Sequence, residues 1–175
     1  MNLSEQLRNQ GRSLSRELVQ LCRAKGLTVA TAESLTAGLC AATITDIPGA
    51  SSVLRGGLVV YATELKHDLA GVSASLLKQV GAVDPGVAIE LAAGAARRCG
   101  ADLGLGLTGV AGPDPQDGHP VGDVFIGVSY RGEGGVYTMC ASQRADSMDS
   151  ESARQVIRLQ AVNEALVAAL RTIKS

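Results

Sequence analysis

Short apolar segments alternate along the chain with longer segments of helical periodicity, and this alternation limits the fold more than any other feature. The predicted buried strands cover 27–31, 56–62 and 101–109. The predicted helices cover 3–25 (with an interruption at Gly11 left open), near Ser34 to Pro48, 75–80, 87–98 and 152–174. Strands that alternate with helices are typical of a β-sheet covered by helices.

A β-hairpin is predicted near the C-terminal end. The segments 121–130 and 134–142 are rich in β-branched and aromatic residues, and the glycine-containing stretch 131–135 joins them. A hairpin brings antiparallel pairing into a sheet whose other strands are joined through helices. The sequence therefore predicts a three-layer α/β/α sandwich with a mixed β-sheet, formed by a single domain over residues 1–175.

Charge and composition exclude several classes of partner. The formal net charge is −1, so no broad positive field attracts nucleic acid or an anionic membrane. Residues 1–21 lack the continuous apolar run of a signal peptide or a membrane span, which indicates a cytoplasmic protein. The widely spaced Cys22, Cys40, Cys99 and Cys140 are expected to be buried, reduced thiols rather than metal ligands.

Ser34 and Thr36 lie where the first predicted strand gives way to a helix, the position at which α/β sheets usually bind ligands. Ser34 has two interpretations. As a helix cap, its hydroxyl accepts a hydrogen bond from a free backbone N–H. As a nucleophile, it lies beside unpaired N–H groups that can hold an oxyanion. The segment alone favours the cap and leaves the nucleophile open.

A serine nucleophile needs a base, and the sequence offers few. His67 and His119 lie in polar stretches and are expected to be solvated, although a Ser-His-Asp triad stays open. Lys66 follows the second strand, five residues after Tyr61. Burial lowers a lysine pKa towards neutrality, which would make Lys66 a base. The alternative is a surface lysine and an aromatic strand residue.

A third hydroxyl group follows the strand at 101–109. Thr108 precedes a glycine-rich turn that contains Gly109 and Gly112 and whose backbone N–H groups suit a phosphate or a carboxylate. The glycine spacing matches neither the P-loop nor the dinucleotide fingerprint. Packing glycines are an equally good interpretation.

Six motifs in order resemble one known family, the CinA C-terminal domain family, which includes the PncC-type nicotinamide-nucleotide amidohydrolases. The motifs are AESLTAG at 32–38, DIPGAS at 46–51, VVYATELK at 59–66, GAVDPGVA at 81–88, TGVAGPD at 108–114 and PVGDV at 120–124. The resemblance extends from about residue 5 to the end of the chain.

The resemblance implies a serine amidohydrolase that uses no metal and no cofactor and converts nicotinamide mononucleotide to nicotinate mononucleotide and ammonia. The family's catalytic serine, tyrosine and lysine fall on Ser34, Tyr61 and Lys66. Its second functional serine and its threonine fall on Ser51 and Thr108, and the substrate is expected near Thr36, Gly109 and Gly112. The resemblance also implies a homodimer with a small-molecule nucleotide as its ligand.

Three departures from the family pattern bear on the substrate phosphate. Ala37 replaces the first of two paired glycines, His119 replaces a lysine before Pro120, and Ser142–Arg144 replaces a Gly-Asp-Arg segment. The phosphate-binding arginine is consequently ambiguous among Arg144, Arg154 and Arg158, with Arg158 preferred and Arg144 retained. A binding module without turnover, or an amidase for another amide, remains an alternative.

Overall fold

A computed structural model of the chain describes residues 2–140 and 148–175. Its centre is a five-stranded sheet in the order β2-β1-β3-β4-β5. Strands β1, β2 and β3 are parallel, whereas β4 and β5 form the antiparallel hairpin, so the mixed sheet is confirmed. The strands are β1 (Val29–Glu33), β2 (Leu54–Val59), β3 (Leu103–Gly109), β4 (Asp123–Tyr130) and β5 (Glu133–Cys140).

Helices cover both faces of the sheet, which gives the three predicted layers. The first face packs against α1, α2 and α6, and the second face packs against α3, α4 and α5. The helices are α1 (Leu3–Lys25), α2 (Leu39–Thr45), α3 (Thr63–Asp68), α4 (Ala74–Val80), α5 (Pro85–Cys99) and α6 (Ser150–Lys174). A short 3₁₀ turn, Ala50–Ser52, precedes β2.

Leucine and glycine alternate along β3, and this alternation lets α5 pack directly against one face of the strand. Leu103, Leu105 and Leu107 are fully buried in the cluster with α1, α2 and α6. The alternate residues are glycines, and a Cβ at Gly104 or Gly106 would lie 1.9 Å from Ala92 O or 2.3 Å from Ala88 O. Because successive side chains point to opposite faces of a strand, α5 lies directly on the strand backbone.

Several predicted boundaries were wrong. Strand β1 ends at Glu33 rather than residue 31, β2 covers 54–59 rather than 56–62, and α2 begins at Leu39 rather than near Ser34. The shift at α2 has a backbone cause, since Ala37 (φ 49°) and Gly38 (φ 93°) have left-handed conformations that a helix cannot include. The polar stretch after β2 contains the unpredicted helix α3.

Helix α1 continues through Gly11 without interruption. A Cβ there would lie 2.6 Å from the Asn163 Oδ1 atom on α6, so the glycine permits two helices to cross closely. Cys22 and Cys40 are buried and Cys99 is only partly buried; all three are free thiols, while the Cys140 side chain lies outside the described part. None of the described helices combines the length and the apolar composition that a membrane span requires.

Candidate functional site at the ends of the parallel strands

Glu33, the last residue of β1, organises the loop that carries Ser34. Its carboxylate is fully buried and accepts hydrogen bonds from the N–H groups of Gly38 (3.0 Å), Cys40 (2.9 Å) and Ala41 (2.9 Å). A negative charge at a helix N-terminus satisfies unpaired N–H groups and complements the helix dipole. Glu33 therefore caps α2, the role that the local sequence favoured for Ser34.

Ser34 is consequently released from the capping role. Its N–H donates to Leu107 O on β3 (2.9 Å), which fixes the serine backbone at the carboxyl end of the parallel strands. The residue is half-buried and lines an open cleft of about 470 Å³. Tyr61, Gly109 and Gly112 line the same cleft, so the structure brings together four of the residues predicted for the site.

Lys66 lies on α3 at the same end of the sheet, and its side chain is fully buried. The Nζ atom donates to Val60 O (2.9 Å) and to Tyr61 O (3.2 Å). The Val60 N–H in turn donates to Glu33 O, the carbonyl of the residue before Ser34. The amine is therefore inside the protein at the end of the sheet that carries Ser34. Lys66 is not among the residues that line the cleft, and the described hydrogen bonds of its Nζ atom go to the two carbonyls and not to Ser34.

Burial lowers the Lys66 pKa from 10.5 to about 8. Removal from water disfavours the charged ammonium, and this effect exceeds the opposing attraction of the Asp117 and Glu64 carboxylates, which raise the pKa. A neutral amine has two N–H donors and one lone pair. If the two carbonyls accept both hydrogens, the lone pair remains for an incoming proton.

Thr108 does not present its hydroxyl to the cleft. The hydroxyl is buried and donates to Ala82 O (2.6 Å), on the loop between α4 and α5. Ala82 and Val83 line the cleft, so the Thr108 hydroxyl positions a wall of the site, and a direct contact of Thr108 with the substrate stays a prediction. The same loop is held from its other side by the Asp117 carboxylate, which accepts from the N–H of Ala82 (2.7 Å) and of Val83 (3.2 Å).

Among the described residues, the arginine that lines the cleft is Arg154 and not the preferred candidate Arg158, whose contact with the phosphate stays a prediction. Arg154 lines the cleft, donates to Tyr61 Oη (2.8 Å) and also donates to the Gly112 carbonyl. The Arg158 guanidinium donates to Leu35 O (2.9 Å) and Thr36 O (2.9 Å), so it fastens the loop after Ser34. Arg144 lies outside the described residues.

Thr36 and Ser51 are not brought to the cleft. Thr36 is buried, and its Oγ1 atom has no hydrogen-bond partner in the described part of the chain. Ser51 is exposed and precedes β2, whereas Ser34 follows β1. Because the two strands are parallel, Ser51 lies at the opposite edge of the sheet, about 16 Å away along a five-residue strand.

Neither histidine lines the cleft with Ser34. His67 Nδ1 contacts Val72 O (2.7 Å), and His119 Nδ1 contacts Asp123 Oδ2 (3.1 Å). Ala37 is exposed and also lies outside the cleft lining, so the family departure at this position affects the loop backbone and not the cleft wall. Within residues 2–140 and 148–175, no three His, Cys, Asp or Glu side chains are grouped as a metal site would require.

Two contributors to the site, Glu33 and Asp117, were not predicted from the sequence. Glu33 was interpreted only as part of a motif, and no role was assigned to Asp117 within its polar surface loop. Arg154 was one of three candidate arginines that no sequence signal distinguished. A buried-strand position occupied by a carboxylate just before a helix was the one local signal that pointed to Glu33 as a cap.

Comparison with known proteins places these features in a family. A family model described as the CinA C-terminal domain matches residues 11–173. A Bacillus velezensis protein named as a competence-damage inducible protein is 48% identical over 121 residues, which is 69% of this chain and 29% of the relative. A CinA-like protein from Frankia casuarinae is 48% identical over 117 residues, which is 67% of this chain and 27% of the relative. The chain thus spans less than a third of these relatives.

Solved structures agree in fold. The competence/damage inducible protein CihA from Agrobacterium tumefaciens superposes with a TM-score of 0.84 at 33% identity, covering 95% of this chain and 96% of that protein. A CinA superfamily protein from Klebsiella pneumoniae has a TM-score of 0.83 at 27% identity, covering 94% of this chain and 98% of that protein. Because the family model matches residues 11–173, nearly the whole chain, the chain belongs to the CinA C-terminal domain family.

Proposed function

We propose that this chain hydrolyses a carboxamide, with Ser34 as the nucleophile and Lys66 as its base. The observation that carries the proposal is a fully buried amine, with a pKa lowered to about 8, at the strand end where Ser34 enters an open cleft. Buried amines with lowered pKa values are suited to proton abstraction near neutral pH. A surface lysine, with its ordinary pKa near 10.5, would stay protonated near neutral pH.

In the proposed reaction, Ser34 Oγ attacks the carboxamide carbon while Lys66 Nζ accepts the hydroxyl proton. The resulting oxyanion needs backbone donors. The Gly38, Cys40 and Ala41 N–H groups are already bound to Glu33. Leu35 and Ala111 line the cleft, and their N–H groups have no hydrogen-bond acceptor among the described residues, so they are our proposed oxyanion donors.

Ammonia then leaves with a proton from Lys66, assisted by the Tyr61 hydroxyl, and water hydrolyses the acyl-enzyme. Lys66 therefore takes a proton in each attack and returns it to each leaving group. Tyr61 is positioned for this role by the hydrogen bond from Arg154 to its Oη atom. No step requires a metal ion or an organic cofactor.

The proposed substrate is nicotinamide mononucleotide, on the strength of the family resemblance. Its carboxamide would occupy the cleft at Ser34, and its phosphate would meet the Arg154 guanidinium. An arginine has five N–H donors, and Arg154 uses two terminal nitrogens on protein acceptors, so donors remain for phosphate oxygens. Homodimerisation and a cytoplasmic location are further parts of the proposal.

Ammonia release and nicotinate mononucleotide formation by the purified chain test the proposal. Ser34→Ala should lower kcat by about a thousandfold or more, because the acyl-enzyme cannot form. Ser13→Ala, an exposed position on α1, is the matched control and should keep wild-type activity. Full activity in Ser34→Ala would remove Ser34 as the nucleophile.

A binding measurement separates the enzyme from a module that only binds nucleotides. Thermal stabilisation of the wild-type chain by nicotinamide mononucleotide, together with no ammonia release at high protein concentration, would favour the binding module. No stabilisation, with activity on other amides, would indicate an amidase of different specificity.

A further inference from the structure

The Asp117 carboxylate links the loop between β3 and β4 to the loop between α4 and α5 at the cleft. Asp117 Oδ2 accepts from two successive N–H groups, those of Ala82 and Val83, which belong to the opposite wall of the cleft. Gly112, Asp114 and Gln116 from the same loop also line the cleft. The Asp117 contact therefore holds the two walls of the cleft together.

The backbone on both sides is shaped for this contact. Asp117 has φ 51°, an uncommon conformation for a residue with a side chain. Gly81 has φ 80°, and a Cβ there would lie 2.5 Å from Asp117 Cγ and 2.6 Å from its Oδ2. Two residues with positive φ therefore meet at this contact. Gly81 has no room for a side chain because the Asp117 carboxylate occupies that space.

The Asp117 carboxylate also acts electrostatically on the buried amine of Lys66 and raises its pKa. Of the charged groups described, Asp117 and Glu64 act on this amine, and Asp117 has the larger effect. Glu64 lies on the same helix as Lys66, so Asp117 is the acidic group that reaches it from another element. The nearby acid Glu33 is bound to three backbone N–H groups, and the neighbouring His67 ring contacts the Val72 carbonyl.

We propose that Asp117 is a positioning residue of the site, which holds the cleft wall at Ala82 and Val83 and places there a negative charge that acts on the Lys66 amine. The proposal rests on the proposed function for its catalytic consequence. The effect of the Asp117 charge on the Lys66 amine can be measured in the folded chain without any enzymatic activity. A loop that loses this contact would alter both the shape of the cleft and the proton affinity of the base.

Asp117→Asn separates charge from shape, because an amide oxygen can accept the same two N–H groups without a charge. The measurement is an NMR pH titration of protein labelled with ¹³C at lysine Cε. The chain contains only Lys25, Lys66, Lys78 and Lys174, and Lys66→Arg identifies the Lys66 signal. We expect the Lys66 midpoint to fall by about half a pH unit in Asp117→Asn, since a removed carboxylate no longer favours the ammonium.

Asp46→Asn is the matched control. It removes one negative charge at the C-terminal end of α2 and should leave the Lys66 midpoint at its wild-type value. Asp117→Gly is a second variant, which removes the carboxylate and also relieves the positive φ. It should lower the midpoint similarly and raise KM for the nucleotide, because the wall contact is lost with the charge.

The pH–rate profile is the catalytic readout. If the neutral amine is the active base, the acid limb of kcat/KM shifts to lower pH in Asp117→Asn, and activity at pH 7 rises up to about threefold. A residue that only stabilises the loop would lower activity at every pH and leave the limb in place. An unchanged Lys66 midpoint in folded Asp117→Asn overturns the proposal. A shifted midpoint without any ammonia release in wild type contradicts the proposed function alone.

Discussion

Arg154 and Arg158 lie one helical turn apart on α6 and have different partners. Residues four apart share a helix face, so both guanidinium groups point towards the same region. Arg158 reaches the carbonyls of Leu35 and Thr36, while Arg154 reaches Tyr61 and Gly112 at the cleft. Only the positions of the two loops distinguish them, which is why the sequence could not show which of the two arginines lines the cleft.

Arg154→Gln tests the assignment of the phosphate to this residue. The variant keeps hydrogen-bonding capacity but loses the charge. We expect KM for nicotinamide mononucleotide to rise about 10- to 100-fold, in proportion to one lost charge-assisted hydrogen bond to phosphate. Nicotinamide riboside lacks the phosphate and should show a KM change of less than about threefold. Equal KM changes for both substrates would contradict the assignment of the phosphate to Arg154.

At the scale of elements, the connection between β1 and α2 determines where the nucleophile lies. The last strand residue supplies the helix cap, so the five residues 34–38 form a turn outside the helix. Arg158 then holds the same turn from α6. Ser34 can face the cleft because other residues satisfy the backbone groups that it would otherwise have to cap.

Glu33→Gln should disturb this connection. Both carboxylate oxygens accept two hydrogen bonds each, from Thr31 Oγ1 and Ala41 N–H on one oxygen and from the Gly38 and Cys40 N–H groups on the other. An amide NH₂ cannot accept, so two buried donors lose their partner. We expect the free energy of unfolding to fall by about 2–4 kcal/mol, measured by urea denaturation.

Glu17→Gln is the control for that substitution, since Glu17 pairs with Lys174 at the exposed surface and should contribute less than about 1 kcal/mol. In folded Glu33→Gln we also expect a lower kcat with little change in the Lys66 titration, because the turn that carries Ser34 loosens. Wild-type stability and kcat in Glu33→Gln would contradict the role of Glu33 as the cap.

At the scale of the whole molecule, the parallel strands place the predicted residues at two opposite ends of the sheet, one at the carboxyl ends of the strands and the other at their amino ends. Residues that follow strands, such as Ser34 and Tyr61, meet at one edge, and a residue that precedes a strand, such as Ser51, lies at the other. A site confined to one chain therefore excludes Ser51. A second copy of the chain is the remaining way for Ser51 to reach a cleft.

Ser51→Ala decides between these arrangements. For a site built within one chain, we expect ammonia release to stay within about twofold of wild type. If activity is lost instead, mixing Ser51→Ala with Ser34→Ala after subunit exchange becomes the informative measurement. In a dimer with shared sites, half of the molecules are heterodimers with one complete site each. Recovery of about a quarter of wild-type activity would assign Ser51 to the partner subunit.

The sequence by itself determined the layer architecture and the general position of the site. Alternating strands and helices predicted three layers, and the hairpin segments predicted the antiparallel end of the sheet, because hydrophobic periodicity and turn chemistry are local properties. Ser34, Tyr61, Gly109 and Gly112 were predicted for one site because the carboxyl ends of strands converge at one edge.

Tertiary structure alone decided which of these groups face the cleft and in what state. Thr108 bonds to Ala82, Asp117 bonds to Ala82 and Val83, and Arg154 bonds to Tyr61, and each of these contacts joins residues distant in sequence. The burial of Lys66 likewise depends on how other segments pack around it. A side chain's solvation, and therefore its proton affinity, depends on atoms contributed by other segments. That information is absent from any local pattern, because it arises only when the loops at one edge of the sheet pack against each other.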